Sequence, residues 1–415
     1  MVDTIWLGRL STEAVAAVGI CSFFIWFANA VVLISRIGLT TWVSRSYGEN
    51  EMDKVEKYIK NSFQLSILLA VIYSSILFIF KRQFIGFYNL DNLVSSLAIE
   101  YTSIIAPGLI FSFLNPMFAG TYNSFGNSVT PFKISAIGLI INIILDPIFI
   151  FTLNLGIAGA AYATVLAQFI VTLIYIYSGK KGNVVFTLIN YLEKPDFGYM
   201  KQVFITGYPA AIQSGAHGVV NMILNKFVAS YGAMPVAVYS VASQIESVCW
   251  MTAEGFSTAL TSFMGQNLGN RNFDRLREGY KEGMKLFAGI GILSSILLIF
   301  FGGSIFKVFL PDDLEAIKEG TRVLFAFGLF EWAMAIEIGT VGAFNGIGLT
   351  LPPAIAEVIL NIIRIPIALV LMPILGVLGV WVSMSASMAL KGIVLFTMFV
   401  ITMKKTNGFK SLVEY

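Results

Sequence analysis

Asn-Ile-Ile-Leu-Asp-Pro-Ile-Phe-Ile-Phe, residues Asn142 to Phe151, is the stretch on which the reading of this chain turns. It lies in an apolar run from roughly Phe132 to Leu155, long enough to cross a bilayer as a helix at about 1.5 Å per residue. Asp146 is the one formal charge in its middle, with Pro147 behind it and Asn142 one helical turn ahead. A spacing of i and i+4 puts the amide and the carboxylate on one face. Pro147 has no N–H, so the Ile143 carbonyl loses its i+4 donor and is left as an acceptor. An ionised carboxylate is costly at membrane depth, and one that is kept faces a cavity and carries a proton or an ion. The competing reading is a kinked helix whose polar patch is satisfied by its neighbours.

Composition extends the membrane reading to the whole chain. The 415 residues are 57% hydrophobic and 12% charged, and a soluble domain carries about twice that charged fraction. The apolar segments are of helical length, unlike the short alternating strands of a barrel, so an all-α polytopic membrane protein is expected. The net charge of +3 is small and no basic patch is interleaved with aromatics, so nucleic acid is not an expected partner. Cys21 and Cys249 both sit in apolar runs, which argues against a disulfide framework or a zinc site. The single histidine, His217, removes most metal and triad chemistry, and no glycine-rich segment has phosphate-cradling spacing. An enzyme is not expected, nor an ATP-driven pump.

Outward from Asp146 the spans repeat. The first half has apolar segments near Glu13–Tyr47, Lys54–Phe80, Asn92–Tyr122, Val129–Phe151 and Ile157–Ser178. The second has Tyr199–Tyr231, Val236–Leu268, Phe273–Phe301, Leu314–Phe344, Leu349–Met372 and Val377–Met403. Met1 to Leu10 reads as the last turns of a further helix whose beginning is missing, so the natural start is expected upstream of Met1. No charged n-region or cleavage site marks a removable signal. Twelve helices result, the first one truncated. The halves share local motifs: Asn123-Ser-Phe-Gly126 resembles Asn345-Gly-Ile-Gly348, and Asn142, Pro147 and Gly156-Ile-Ala-Gly159 match Asn361, Pro366 and Gly376-Val-Leu-Gly379. Two six-helix repeats of the same orientation predict an N-terminal lobe over residues 1–195, including a polar connector, and a C-terminal lobe over 196–415, with a cleft between them. That is a transporter plan. The positive residues collect on one side by alternation, among them Arg45, Lys54, Lys180, Lys181, Arg271, Arg275, Lys404 and Lys405, which puts the N-terminus, connector and C-terminus in the cytoplasm.

Several motifs together resemble the multidrug and toxic compound extrusion (MATE) family. They are Val2 to Leu10, Asn142 to Phe151, Gly156 to Thr164, Gly207-Tyr-Pro-Ala-Ala-Ile-Gln213, Gln244-Ile-Glu246, Gly265-Gln-Asn-Leu-Gly269 and Arg364-Ile-Pro366. The resemblance covers nearly the whole chain and implies a twelve-helix, two-lobed exporter in the plasma membrane. Such a protein expels organic cations and other amphipathic compounds by antiport against inward Na⁺ or H⁺, and is expected as a monomer. It also implies an ion-coupling site in the N-terminal lobe, with roles falling on Asp3, Asn142, Asp146 and Thr164. These are hard oxygen ligands suited to Na⁺, and paired carboxyls also share protons, so the coupling ion stays open. Some relatives use a carboxylate near the place of His217; its absence favours the N-lobe site, as in the DinF-type branch. A lipid-linked precursor flippase of the same superfamily is the alternative function.

Acids also interrupt the apolar runs of the second half. Glu331, Glu337 and His217 are candidates for lining the substrate cleft. Glu357 and Arg364 are seven apart, two turns on one face of a continuous helix, and are expected to neutralise each other. Trp250, Met251, Phe256 and Met264 suit a re-packable pocket.

Overall fold

The computed structural model describes residues 6–88, 90–309 and 313–405. Their regular structure is helical throughout. The helices are α1 Thr12–Gly48, α2 Met52–Gly86, α3 Asn92–Ser124, α4 Val129–Pro147, α5 Gly156–Lys181, α6 Phe197–Ala229 and α7 Ala233–Gly269, followed by α8 Phe273–Phe309, α9 Leu314–Gly328, α10 Glu331–Gly346, α11 Leu351–Ile362, α12 Arg364–Leu375 and α13 Leu378–Lys405. Helices are what a hydrocarbon solvent demands, because each backbone N–H and C=O must find its partner within the segment. α9 and α10 are two halves of one broken span bent by 48°, and α11 with α12 forms another span. The helical residues 6–7 ahead of α1 occupy the place of the short first helix. The chain therefore follows the twelve-helix plan. Among the described residues eight spans are long and apolar enough to cross a membrane, or nine with the bent pair. α6 and α7, 33 and 37 residues long, have the length without the apolarity. Their Gln213, His217, Gln244 and Glu246 are the reason.

The chain divides into two compact units, one of residues 1–43 and 51–211, the other of 44–50 and 212–415. The division runs through α6, whereas the sequence suggests the connector before it. Small residues explain this. A Cβ on Gly207 would lie 1.8 Å from the Ile34 carbonyl oxygen, and one on Gly38 would lie 2.3 Å from that of Val203. The N-terminal part of α6 thus packs backbone to backbone on α1, as small residues permit in membranes, and the Trp42 indole donates to Thr206 Oγ1 at 2.9 Å. Residues 44–50 join the other unit by the same device, since a Cβ on Gly48 would meet the Gln266 oxygen at 2.0 Å and one on Gly269 the Arg45 oxygen at 2.1 Å.

The first unit is centred on an aromatic cluster in which Phe118 meets Phe63, Tyr175 and Phe186 at 5.0, 5.5 and 5.1 Å between ring centroids. Its connector is tied to α2. Lys60 pairs with Glu193 at 2.9 Å, the Gln64 amide donates to the Tyr191 and Glu193 carbonyls, and Asn61 Oδ1 accepts from the Asp196 N–H at 2.7 Å. Burial pushes the Tyr191 phenol upward, and its hydroxyl donates to the Phe186 carbonyl at 2.7 Å. In the second unit Phe399 packs against Tyr280 and Phe344 at 4.2 and 4.9 Å, and fully buried Trp381 stacks on Tyr239. Both cysteines are buried and free.

The internal repeat is visible in the backbone. Left-handed residues recur at matching places: Asn50 and Arg271 (φ 60 and 55°), Gly126 and Gly348 (both 81°), Gly156 and Gly376 (54 and 61°). Positive φ is uncommon outside glycine, so the Asn50 and Arg271 match is the informative one, and the two glycine pairs fall at matching turns beside it.

Candidate functional site

Asp146 closes α4 one residue before the chain leaves α-geometry. Residues Ile148–Thr152 form a π turn, a wider coil that accompanies an inserted proline and recurs at functional sites. Pro147 supplies no N–H to the Ile143 carbonyl. Gly159, on α5, permits the bulge, because a Cβ there would lie 2.6 Å from the Phe149 carbonyl carbon. The second half repeats the contact with Gly379 against Leu371, at 2.7 Å.

The carboxyl of Asp146 is fully buried. The Asn142 amide Nδ2 donates to its Oδ1 at 3.2 Å, so the i, i+4 spacing read from the sequence is a contact in the structure. Asn142 is half-buried. Thr164 is placed by the register of α4 against α5. The two run antiparallel, Gly138 lying beside Val171 and Phe149 beside Gly159. That pairing brings Thr164 within about one helical turn of the level of Asp146. Both residues take part in further interactions. Asp3 lies outside the described residues. The described start of the chain runs beside the π turn, with Trp6 edge-on to Phe151 at 6.3 Å and Leu10 3.7 Å from a Cβ on Gly156.

Among the described residues no three His, Cys, Asp or Glu side chains converge where they would hold a metal ion. Among the described residues the site offers one carboxylate and neutral oxygens, which are hard ligands suited to Na⁺, and the carboxylate is also the group that would take a proton.

The other unit holds a larger buried polar network. Lys391 Nζ meets Glu337 Oε1 at 2.5 Å, with both side chains 6% exposed. Arg364 Nε donates to Ser387 Oγ at 2.9 Å, and that hydroxyl donates to the Leu360 carbonyl at 2.8 Å. The Gln213 amide donates to Glu357, and Asn221 Nδ2 contacts His217 Nε2 at 2.8 Å. The repeat explains part of this arrangement. Asn361 and Pro366 match Asn142 and Pro147, but Ile365 takes the place of Asp146 and Arg364 that of Leu145. The acid is gone and a cation stands beside its place.

Two sequence readings change here. Glu331 and Glu337, expected to line a cleft, are 0% and 4% exposed, because α10 is enclosed by α7, α8 and α13 of its own unit. His217 is only half-buried. Glu357 and Arg364 form no ion pair. Each is engaged elsewhere instead, Glu357 by the Gln213 amide and Arg364 by Ser387. Lys391, Gln213 and Ser387 escaped the sequence reading. Lys391 carried the same signal as Asp146, a lone charge in an apolar span.

A helical membrane protein built of two matched repeats, with buried ionisable groups inside its spans, has the plan of a membrane transporter. The particular family follows from comparison. The MatE family model matches residues 1–148 and 209–370, and the chain belongs to the MATE family. It is 27% identical over 395 residues to a probable multidrug resistance protein NorM of Thermotoga maritima, covering 93% of this chain and 84% of that one. It is 25% identical over 423 residues to the multidrug export protein MepA of Staphylococcus haemolyticus, covering 94% and 91%. In fold it is similar to the Vibrio cholerae MATE transporter VcmN, with a TM-score of 0.90 at 17% identity over 98% of this chain and 93% of the other. A transporter of the MOP superfamily from Pyrococcus furiosus gives 0.89 at 23% identity, over 97% and 91%.

Proposed function

We propose that this chain is a cation-coupled multidrug exporter of the DinF-type branch. It expels organic cations and other amphipathic compounds across the plasma membrane by alternating access, in exchange for inward H⁺ or Na⁺. The observation that carries the reading is Asp146, a carboxyl buried in a span, tied to Asn142 and set at a proline-induced π turn. When a cation enters, Asp146 supplies the charge, and Asn142 Oδ1 and the Thr164 hydroxyl supply neutral oxygens. Asp3 is assigned to the same set on the strength of Trp6 and Leu10, which run beside the π turn. With the acid neutralised, the π turn is the natural place for the helix to change its bend, since its backbone is already out of α-register. The chain works as a monomer with both termini in the cytoplasm. Relatives named for multidrug export favour this reading over a lipid-precursor flippase.

Purified protein in sealed liposomes loaded with a fluorescent organic cation tests it. Efflux should follow an imposed H⁺ or Na⁺ gradient and stop when that gradient is collapsed. Dye movement that ignores both gradients would overturn the proposal.

A further inference from the structure

The connector between α5 and α6 is held at a definite depth. Residues 61–80 of α2, between Lys60 and Lys81, carry no charge, and twenty residues make about 30 Å of helix, the thickness of a hydrocarbon core. Lys60 and Lys81 thus mark its two edges. A row of exposed apolar side chains, Ile67, Leu68, Val71 and Ile72, starts just inside the first edge. The connector is fastened there. Glu193 pairs with Lys60 itself at 2.9 Å, the Gln64 amide donates to the Tyr191 and Glu193 carbonyls at 2.9 Å, and the Tyr191 ring lies 5.3 Å from that of Phe63. Nearer α5, Phe186 lies 5.1 and 5.6 Å from Phe118 and Tyr122 of α3, and a Cβ on Gly179 would meet its ring at 2.4 Å. Anchored at both ends, the connector runs along the edge of the hydrocarbon.

What it presents outward there is apolar. Leu192 is 97% exposed, Leu188 69%, and Phe197, which opens α6, 77%. Removing such surface from water is favourable in proportion to its area. Cations surround it, for Lys180, Lys181, Lys194 and Lys201 are all exposed. Over residues 177–201 these four lysines stand against two acids, and both acids are engaged: Glu193 with Lys60, and Asp196 Oδ1 as acceptor of the Gly198 N–H at 2.9 Å. Apolar side chains at the hydrocarbon edge with lysines beside them are complementary to an anionic bilayer surface. The apolar groups enter the acyl boundary, and the long lysine stems let the ammonium groups reach the phosphates. A soluble protein would have to pass between headgroups to reach residues at the level of Lys60.

We propose that the connector is an interfacial anchor that docks on anionic phospholipid, with Leu188, Leu192 and Phe197 inserted at the acyl boundary and the four lysines on the headgroups. Each lysine near such a surface strengthens the attraction about fivefold. The anchor lies wholly within the first unit and stands whether or not the chain exports drugs, so its test reads lipid contact and not transport.

Full-length protein with Cys21 and Cys249 replaced by alanine carries a single fluorophore at Leu192→Cys, in vesicles of equal parts phosphatidylcholine and phosphatidylglycerol. Nitroxides on the lipid chains should quench it and aqueous iodide should not. A fluorophore at exposed Asp53→Cys, about 10 Å outside the edge by helical rise, should show the reverse. Nitroxide-bearing phosphatidylglycerol should be enriched about fivefold or more around Leu192 over nitroxide-bearing phosphatidylcholine. Lys180→Gln, Lys181→Gln, Lys194→Gln and Lys201→Gln together should bring the two level; should that variant misfold, molar salt, which screens exposed charge, must do so instead. Iodide reaching Leu192 as readily as Asp53, shielding from both quenchers, or an anionic preference that survives loss of the charges and salt alike would overturn the proposal.

Discussion

Removing Lys391 tests whether the second unit is held by charge pairing in its interior. Its ammonium lies 2.5 Å from Glu337 Oε1 with both side chains 6% exposed. At that distance and an effective dielectric of about 20 the attraction is about 6–7 kcal/mol. Desolvation of each ion costs several kcal/mol, so the intact pair gains little over an apolar pair of the same shape. Truncating one partner is different, because it strands a buried charge at about 3–5 kcal/mol. Lys391→Met and Glu337→Gln should therefore each destabilise by that amount. The double variant should lose less than either, giving a coupling energy of at least about 3 kcal/mol. Denaturant titration in mixed micelles, followed by tryptophan fluorescence, measures all four corners of the cycle. A double variant whose loss equals the sum of the singles would refute the pairing.

At Gly159 a methyl would meet the backbone of Phe149 at 2.6 Å, which cannot move aside, whereas Gly19 has nothing within 4 Å. Gly159→Ala should thus cost about 1–3 kcal/mol and Gly19→Ala should be neutral or gain up to about 1 kcal/mol, both read from the same titration. Ser387→Ala strands Arg364 Nε, a buried donor, and should lose about 1–3 kcal/mol; an unchanged midpoint would show that another group takes its place. Asn142→Ala removes the hydrogen bond to Asp146. A bond to a charged group is worth about 1.5–3 kcal/mol, so the same titration should show a loss of stability of that order, and an unchanged midpoint would show that another donor takes its place.

The fold was legible because a bilayer imposes its own arithmetic on sequence. Apolar runs of spanning length, the Asn–Pro and Gly–x–x–Gly echoes and the polar turns carried the twelve-helix repeat, and the matched left-handed residues at Asn50 and Arg271 show why the turns recur. The Asn142–Asp146 contact was legible because helical periodicity fixes neighbours four residues apart. What lay hidden depended on facing. Nothing local to Ala-Leu-Lys391-Gly says that its partner is Glu337, 54 residues earlier. Glu331 and Glu337 read as cleft acids because a sequence shows that a run is apolar but not which side meets another helix. Glu357 and Arg364 lie two turns apart in one span, and the sequence does not show that Gln213 and Ser387, on other helices, engage them. The unit boundary inside α6 follows from Gly38 and Gly207 closing on facing backbone, a contact between helices that no single segment encodes.

Asp146 carries the central claim, and gradient-driven efflux by Asp146→Asn measures it. The amide has the carboxyl's shape but neither carries the charge nor exchanges the proton. The variant should insert and fold, keep binding the fluorescent organic cation in detergent, and lose efflux under both H⁺ and Na⁺ gradients in liposomes. A well-folded Asp146→Asn protein that expels the dye at the wild-type rate under either gradient would contradict the account.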